Sequence, residues 1–115
     1  MTDDRRLQAL RDLLYLRRPI AESARKIRTF PWDSESELVT LERGDIVRLL
    51  KQYQAGRLSP AEVEQWASAI EGRDDIGLES GHVKVIKDFL FAAGTPEFNG
   101  VMTASMARAW LRRLG

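Results

Sequence analysis

The chain contains no cysteine. That absence excludes a disulfide scaffold, a zinc–thiolate site, an iron–sulfur site and a thiol nucleophile, and it fits a reducing compartment. Histidine is nearly as scarce, with His82 standing alone. No apolar run approaches the roughly 20 residues that span a bilayer. The opening Met1-Thr2-Asp3-Asp4-Arg5-Arg6 is charged and leads into no apolar stretch, unlike a secretory signal. A cytoplasmic protein with no membrane association is the expectation. The glycine spacings that cradle phosphates are missing, as is the Gly-x-Ser-x-Gly elbow of serine hydrolases.

What is present reads as one helical domain. A chain of 115 residues suits a single domain, 1–115, and buries a core without covalent staples. The formal net charge is +1, but its distribution is uneven. Residues 1–30 hold eight Lys/Arg against four Asp/Glu, residues 31–81 five against eleven, and residues 82–115 five against two. An acidic middle lies between two basic ends. Compensation between segments within the fold accounts for this without a partner; a charged docking surface is the rival reading.

The clearest element starts at Ser59-Pro60-Ala61-Glu62, with Ser at the N-cap, Pro at the first helical position and Glu at N3. Leu58 and Val63 occupy the two positions of a hydrophobic staple. Val63, Trp66, Ala67 and Ile70 give one apolar face, and Gly72 sits where a left-handed residue ends a helix. These signals predict a helix over 60–71. The preceding helix carries Ile46, Leu49, Leu50 and Tyr53 and ends at Gly56. Its start is open between a Thr40 cap, with Gly44 inside at about 1 kcal/mol, and a beginning near Asp45. The short connector makes 41–71 a helix–turn–helix unit in the loose sense.

A helix over 80–93 follows from Ile86, Phe89, Leu90 and Ala93, with Gly94 and Pro96 as stops. Val83, Val85 and Phe91 widen its apolar surface, which predicts a central position. A buried strand is the competing reading of that run; the stop signals and the spacing favour helix. In 103–114, Thr103 caps and Ala107, Trp110, Leu111 and Leu114 repeat the pattern, with Arg108, Arg112 and Arg113 near the C-terminus. At the front, Thr2 caps, Asp3 and Asp4 complement the helix dipole, and Leu7, Leu10, Leu13 and Leu14 line one face. Pro19 interrupts, and a short helix through Ala21–Arg28 turns Ile20, Ala24 and Ile27 inward. Residues 30–37 read as a loop. The expected fold is all-α, a compact bundle of five or six short helices. Residues 1–30 form its N-terminal helices and 31–115 its core: Leu49, Leu50, Trp66, Ile70, Ile86, Phe89, Leu90, Trp110 and Leu111.

Each candidate site also has a purely structural reading. His82 near a helix start reads as a surface or capping residue, not a catalytic one. Asp33, Glu35 and Glu37 alternate, and Asp74, Asp75 and Glu79 cluster, but an EF-hand needs Gly at its sixth position and both frames place Leu38 or Glu79 there. No metal and no cofactor is expected. Arg43-Gly44-Asp45 matches a cell-adhesion tripeptide only at chance level. Arg17, Arg18, Arg25, Lys26 and Arg28, followed by Phe30 and Trp32, form the one candidate nucleic-acid surface. The most unusual string is Glu71-Gly72-Arg73-Asp74-Asp75-Ile76-Gly77-Leu78-Glu79. It reads either as a turn held by Asp–amide and Arg–carboxylate bonds with Ile76 and Leu78 as anchors, or as an acidic surface that meets a partner.

Five strings together carry a resemblance: Pro31-Trp32-Asp33, Ile46-Val47-Arg48-Leu49-Leu50, Gly56-Arg57-Leu58-Ser59, Glu64-Gln65-Trp66-Ala67 and Glu71-Gly72-Arg73-Asp74-Asp75-Ile76-Gly77. The pattern, over roughly 31–95, resembles small helical bacterial immunity proteins of contact-dependent growth inhibition systems; 1–30 is a variable front end. The resemblance implies a protein that performs no chemistry and neutralises the toxin domain of a cognate effector inside the cell. Its partner-binding residues would be Asp33, Glu35, Glu37, Glu71, Arg73, Asp74, Asp75 and Glu79, facing a toxin with a basic cleft. A net charge of +1 departs from what an inhibitor of a basic nuclease calls for, and leaves the toxin's activity open. The alternative is a nucleic-acid-binding accessory protein that uses the basic N-terminal helices.

Overall fold

A computed structural model describes residues 4–115. Among them the order is α1 (Asp4–Leu14), α2 (Ile20–Ile27), β1 (Val39–Leu41), α3 (Arg43–Gln54), α4 (Pro60–Ile70), β2 (Ile76–Leu78), α5 (Val83–Gly94), α6 (Pro96–Asn99) and α7 (Ala104–Leu114). The predicted Thr2 cap and Asp3 lie outside the described residues. The all-α bundle is the observed class, with one addition: β1 and β2 pair as a small parallel sheet, Val39 opposite Ile76 and Leu41 opposite Leu78.

Helix α4 begins where its local chemistry says it should. Ser59 Oγ accepts from the Glu62 amide at 3.1 Å, and Glu62 Oε1 accepts from the Ser59 amide at 2.9 Å. This reciprocal pair satisfies two of the donors that every helix start leaves open. The helix ends at Ile70, one residue short of expectation, and Gly72 follows at φ 81°. Helix α7 starts as read, with the Thr103 hydroxyl accepting from the Met106 amide.

Helix α3 corrects the sequence reading. Thr40 is a strand residue and not its cap. The helix starts at Arg43, with Glu42 as N-cap, and the Asp45 carboxylate takes the Glu42 amide at 2.9 Å. The Arg43 amide is taken by Glu79 Oε1 at 2.9 Å, from the far side of the chain.

Helix α4, not α5, sits at the centre, packed on α5, α2 and α3. The buried side chains include Leu10, Leu13, Ile27, Leu49, Leu50, Trp66, Ile86 and Phe89. Trp66 is fully enclosed, and its indole N–H donates to the Leu13 carbonyl at 2.9 Å, joining α4 to the end of α1. Trp110 and Leu111 are only half-buried against this core, and Ala107 and Leu114 take the enclosed positions on α7. The Trp110 ring meets the edge of Phe89 at 5.4 Å on one side and the Arg113 guanidinium on the other. No helix among the described residues is long and apolar enough to cross a membrane.

Candidate functional site

The eight candidate residues divide into three groups. Glu37, Glu71 and Asp74 line one open groove of about 620 Å³. All three side chains are exposed, and none forms an ion pair among the described residues. Asp33 and Glu35 are exposed in the loop that leads into β1 and line no part of the groove.

Arg73, Asp75 and Glu79 are committed inside the fold. The Asp75 carboxylate is fully buried. Arg73 approaches it side-on, Nε to Oδ1 at 3.0 Å and Nη2 to Oδ2 at 2.9 Å. Arg6 of α1 adds a second guanidinium at 2.9 Å. The spare N–H groups of both arginines donate to the Pro31 carbonyl, and Arg6 also to that of Asp33. One carboxylate thus ties α1, the 31–38 loop and β2 together. Charge reversal at Asp75 would place an unpaired charge among two arginines, so this residue is not available to a partner. Glu79 caps α3 and pairs with the Arg43 guanidinium at 3.2 Å. The Arg43 amide bond, then the Arg43 side chain, hold the Glu79 carboxyl below its ordinary value of 4.5.

The groove itself runs between β2 and α5. Its floor is apolar, from Ile70, Ile76, Leu78 and Leu90, and the α5 wall presents Val83, Lys87 and Phe91. Phe91 is 49% exposed and stacks on Phe98 of α6, which is 73% exposed, with ring centroids 6.1 Å apart. These aromatics were not singled out as site residues from sequence. For Phe91 the signal was there, in the surplus of apolar residues on α5 beyond the four that one buried stripe needs; Phe98 on α6 carried none. Of that surplus Val83 and Phe91 line the groove, whereas Val85 packs against the core.

His82 is the N-cap residue of α5, beside Glu79. No group of three or more metal-ligating side chains assembles among the described residues. The basic N-terminal cluster is split. Arg18 reaches Asp12 and Glu22, and Arg17 lies over the Tyr15 ring. Arg25, Lys26 and Arg28 are exposed on and just after α2 with no ion pair among the described residues. Of the two aromatics that follow this cluster, Phe30 is half-buried and Trp32 is 62% exposed.

Comparison with protein families, with curated proteins and with solved structures gives no match to this chain.

Proposed function

We propose that this chain is a protein-binding module of immunity type, which holds the toxin domain of a cognate effector at the groove between β2 and α5. The observation that carries the reading is the makeup of that groove: an apolar floor, Phe91 on one wall stacked on the neighbouring Phe98, and three carboxylates without an ion pair among the described residues. Protein interfaces draw their affinity from a few aromatic anchors in a desolvated patch, and a charged rim steers the partner and rejects wrong ones. The resemblance of the sequence strings supplies the class of partner, and the acidic walls fit a toxin with a basic surface. No chemistry is assigned to the chain.

The test is affinity capture with the full chain from lysate of the native cell, with nuclease added, in parallel with a Glu71→Lys/Asp74→Lys variant. A single stoichiometric polypeptide, the end of a large secreted protein, retained by the parent chain and lost by the variant, supports the reading. Equal retention by both chains rejects the groove as the interface.

A second reading rests on Arg25, Lys26 and Arg28, a cationic face on and just after α2 with no ion pair among the described residues. If capture without nuclease brings down nucleic acid and nothing else, with retention falling steeply as salt rises, that face is the functional surface and the immunity reading fails.

A further inference from the structure

The groove has a feature that the acidic walls alone do not convey: one of its sides is the edge of β2 that turns away from β1, formed by Ile76, 6% exposed, and the half-buried Leu78. In the β1–β2 ladder the Asp75 carbonyl accepts from the Leu38 and Val39 amides, at 2.8 and 3.3 Å, and the Glu79 amide donates to the Leu41 carbonyl at 2.9 Å. Backbone groups alternate sides along a strand, so residues 75, 77 and 79 turn theirs toward β1, in keeping with the register Thr40 to Gly77. The N–H and C=O groups of Ile76 and Leu78 therefore point the other way. No backbone or side-chain group among the described residues bonds them there. Ile76 and Leu78 line the groove from one face of β2. Glu37 lines it from the other, its carboxylate filling the space a side chain on Gly77 would occupy. The groove therefore follows the unpaired edge.

An edge of unpaired N–H and C=O groups is a template for another strand. Such edges are ordinarily blunted by charge or covered, and here the edge lies recessed beside α5. Its surroundings choose the occupant. Glu37, Glu71 and Asp74 are free, Lys87 is the one free cation among the lining residues, and the Arg73 charge is spent on Asp75. The balance is negative, and Val83 and Phe91 offer apolar contact to every second residue of an extended chain. We infer that this groove takes up an extended basic segment of the partner polypeptide, which adds to the outer edge of β2 as a third strand. The inference rests on the protein-binding reading of the same groove and specifies its geometry.

The experiment uses the full chain, labelled with nitrogen-15, and three synthetic peptides. The first is Lys-Val-Lys-Val-Lys-Val with blocked ends, the second is the same peptide N-methylated at every residue, and the third has Glu in place of Lys. The first peptide is expected to bind and to slow amide exchange at Ile76 and Leu78 by about tenfold or more. The N-methylated peptide keeps the charge but cannot donate to an edge, and it should bind at least about tenfold more weakly, as should the acidic one. Equal binding by the N-methylated peptide overturns strand addition, as do protection that maps away from β2 and the absence of binding. Concentration-dependent protection of Ile76 and Leu78 without peptide assigns the edge to a second copy of the chain, and overturns it too. Each of these results leaves the capture comparison of the parent and Glu71→Lys/Asp74→Lys chains to decide separately whether the groove binds a protein.

Discussion

Arg73 grips Asp75 two residues away through two parallel N–H···O bonds of 3.0 and 2.9 Å, and neither side chain is open to solvent. With Arg6 on the same carboxylate, the cluster carries two positive charges around one buried negative one. Removing the negative partner leaves both guanidiniums facing each other. Asp75→Ala should therefore lower stability by about 3–5 kcal/mol, a large share of the roughly 5–15 kcal/mol that holds such a domain together. Urea unfolding monitored by circular dichroism measures it. A loss below about 1 kcal/mol would mean that the cluster behaves as a surface pair.

Trp66 offers a second stability test with a different cause. Its ring fills the centre of the core, and its N–H donates at 2.9 Å to the Leu13 carbonyl, whose other bond, from the Leu16 amide, is long at 3.4 Å. Trp66→Phe keeps most of the apolar volume but leaves that carbonyl only the long Leu16 bond, for an expected cost of about 0.5–1.5 kcal/mol. Trp66→Ala adds the cavity, and about 3–5 kcal/mol is expected. If the two variants lose the same amount, cavity volume contributes nothing at this position.

How much of this was legible in the sequence depends on the range of the interaction. The signals of helix α4 are legible because Ser59 and Glu62 act on each other within its first turn and Gly72 lies two residues past its last one. The start of α3 is not, because the group on its first amide, Glu79, comes from 36 residues away. The sheet was missed for the same reason. Strands of three residues are too short for alternation to register, and their pairing joins distant segments. The candidate site shows the same division. Asp74 and Asp75 are indistinguishable in sequence, yet one is exposed on the groove and the other is sealed between two arginines. Only the direction of the chain leaving α4, and the arrival of Arg6 from α1, separates them.

Glu79 gives a pH dependence with a definite sign. Its bonds to the Arg43 amide and side chain favour the charged form and hold its carboxyl below the ordinary 4.5. A carboxyl lowered by folding contributes stability that is fully present above its unfolded value and is lost as pH falls through the folded one. The thermal unfolding midpoint should therefore fall on acidification below about pH 5. Glu79→Gln should remove part of that slope while lowering the neutral-pH midpoint. Asp88, held low by Arg113 and then Lys84, adds a slope of the same sign, so the Gln variant should be flatter but not flat. A variant as steep as the parent chain would show that the Arg43 contact is not maintained in solution.

Gly77 and Glu37 test the wall of the groove. A methyl group on Gly77 would meet the Glu37 carboxylate, which is the far end of a flexible, exposed side chain. Gly77 does not adopt a left-handed φ, so alanine suits the strand backbone and reduces the freedom of the unfolded chain. The Gly77→Ala variant should stay folded, within about 1 kcal/mol of the parent, while Glu37 swings away from β2. Combining it with Glu37→Ala should recover any loss, and a double-mutant cycle in urea reports the coupling. A penalty that persists without Glu37 would place the clash in the backbone instead.

The aromatic pair that Phe91 forms beside the groove separates binding from folding. Phe91 and Phe98 stack on each other in solvent, and neither belongs to the buried core. Replacing either with Ala removes exposed surface, and surface changes away from special features usually fall within about 0.5 kcal/mol. The partner sees a different loss, because an aromatic anchor at an interface is typically worth about 2 kcal/mol or more. Phe91→Ala and Phe98→Ala should therefore keep the parent's unfolding midpoint, while calorimetry with the captured partner shows affinity down by about thirtyfold or more. The two losses should not add fully, since the first substitution already breaks the stack on which the second ring depends. Unchanged affinity in both variants, with folding intact, would remove the aromatic pair from the interface and confine binding to β2 and the carboxylates beside it.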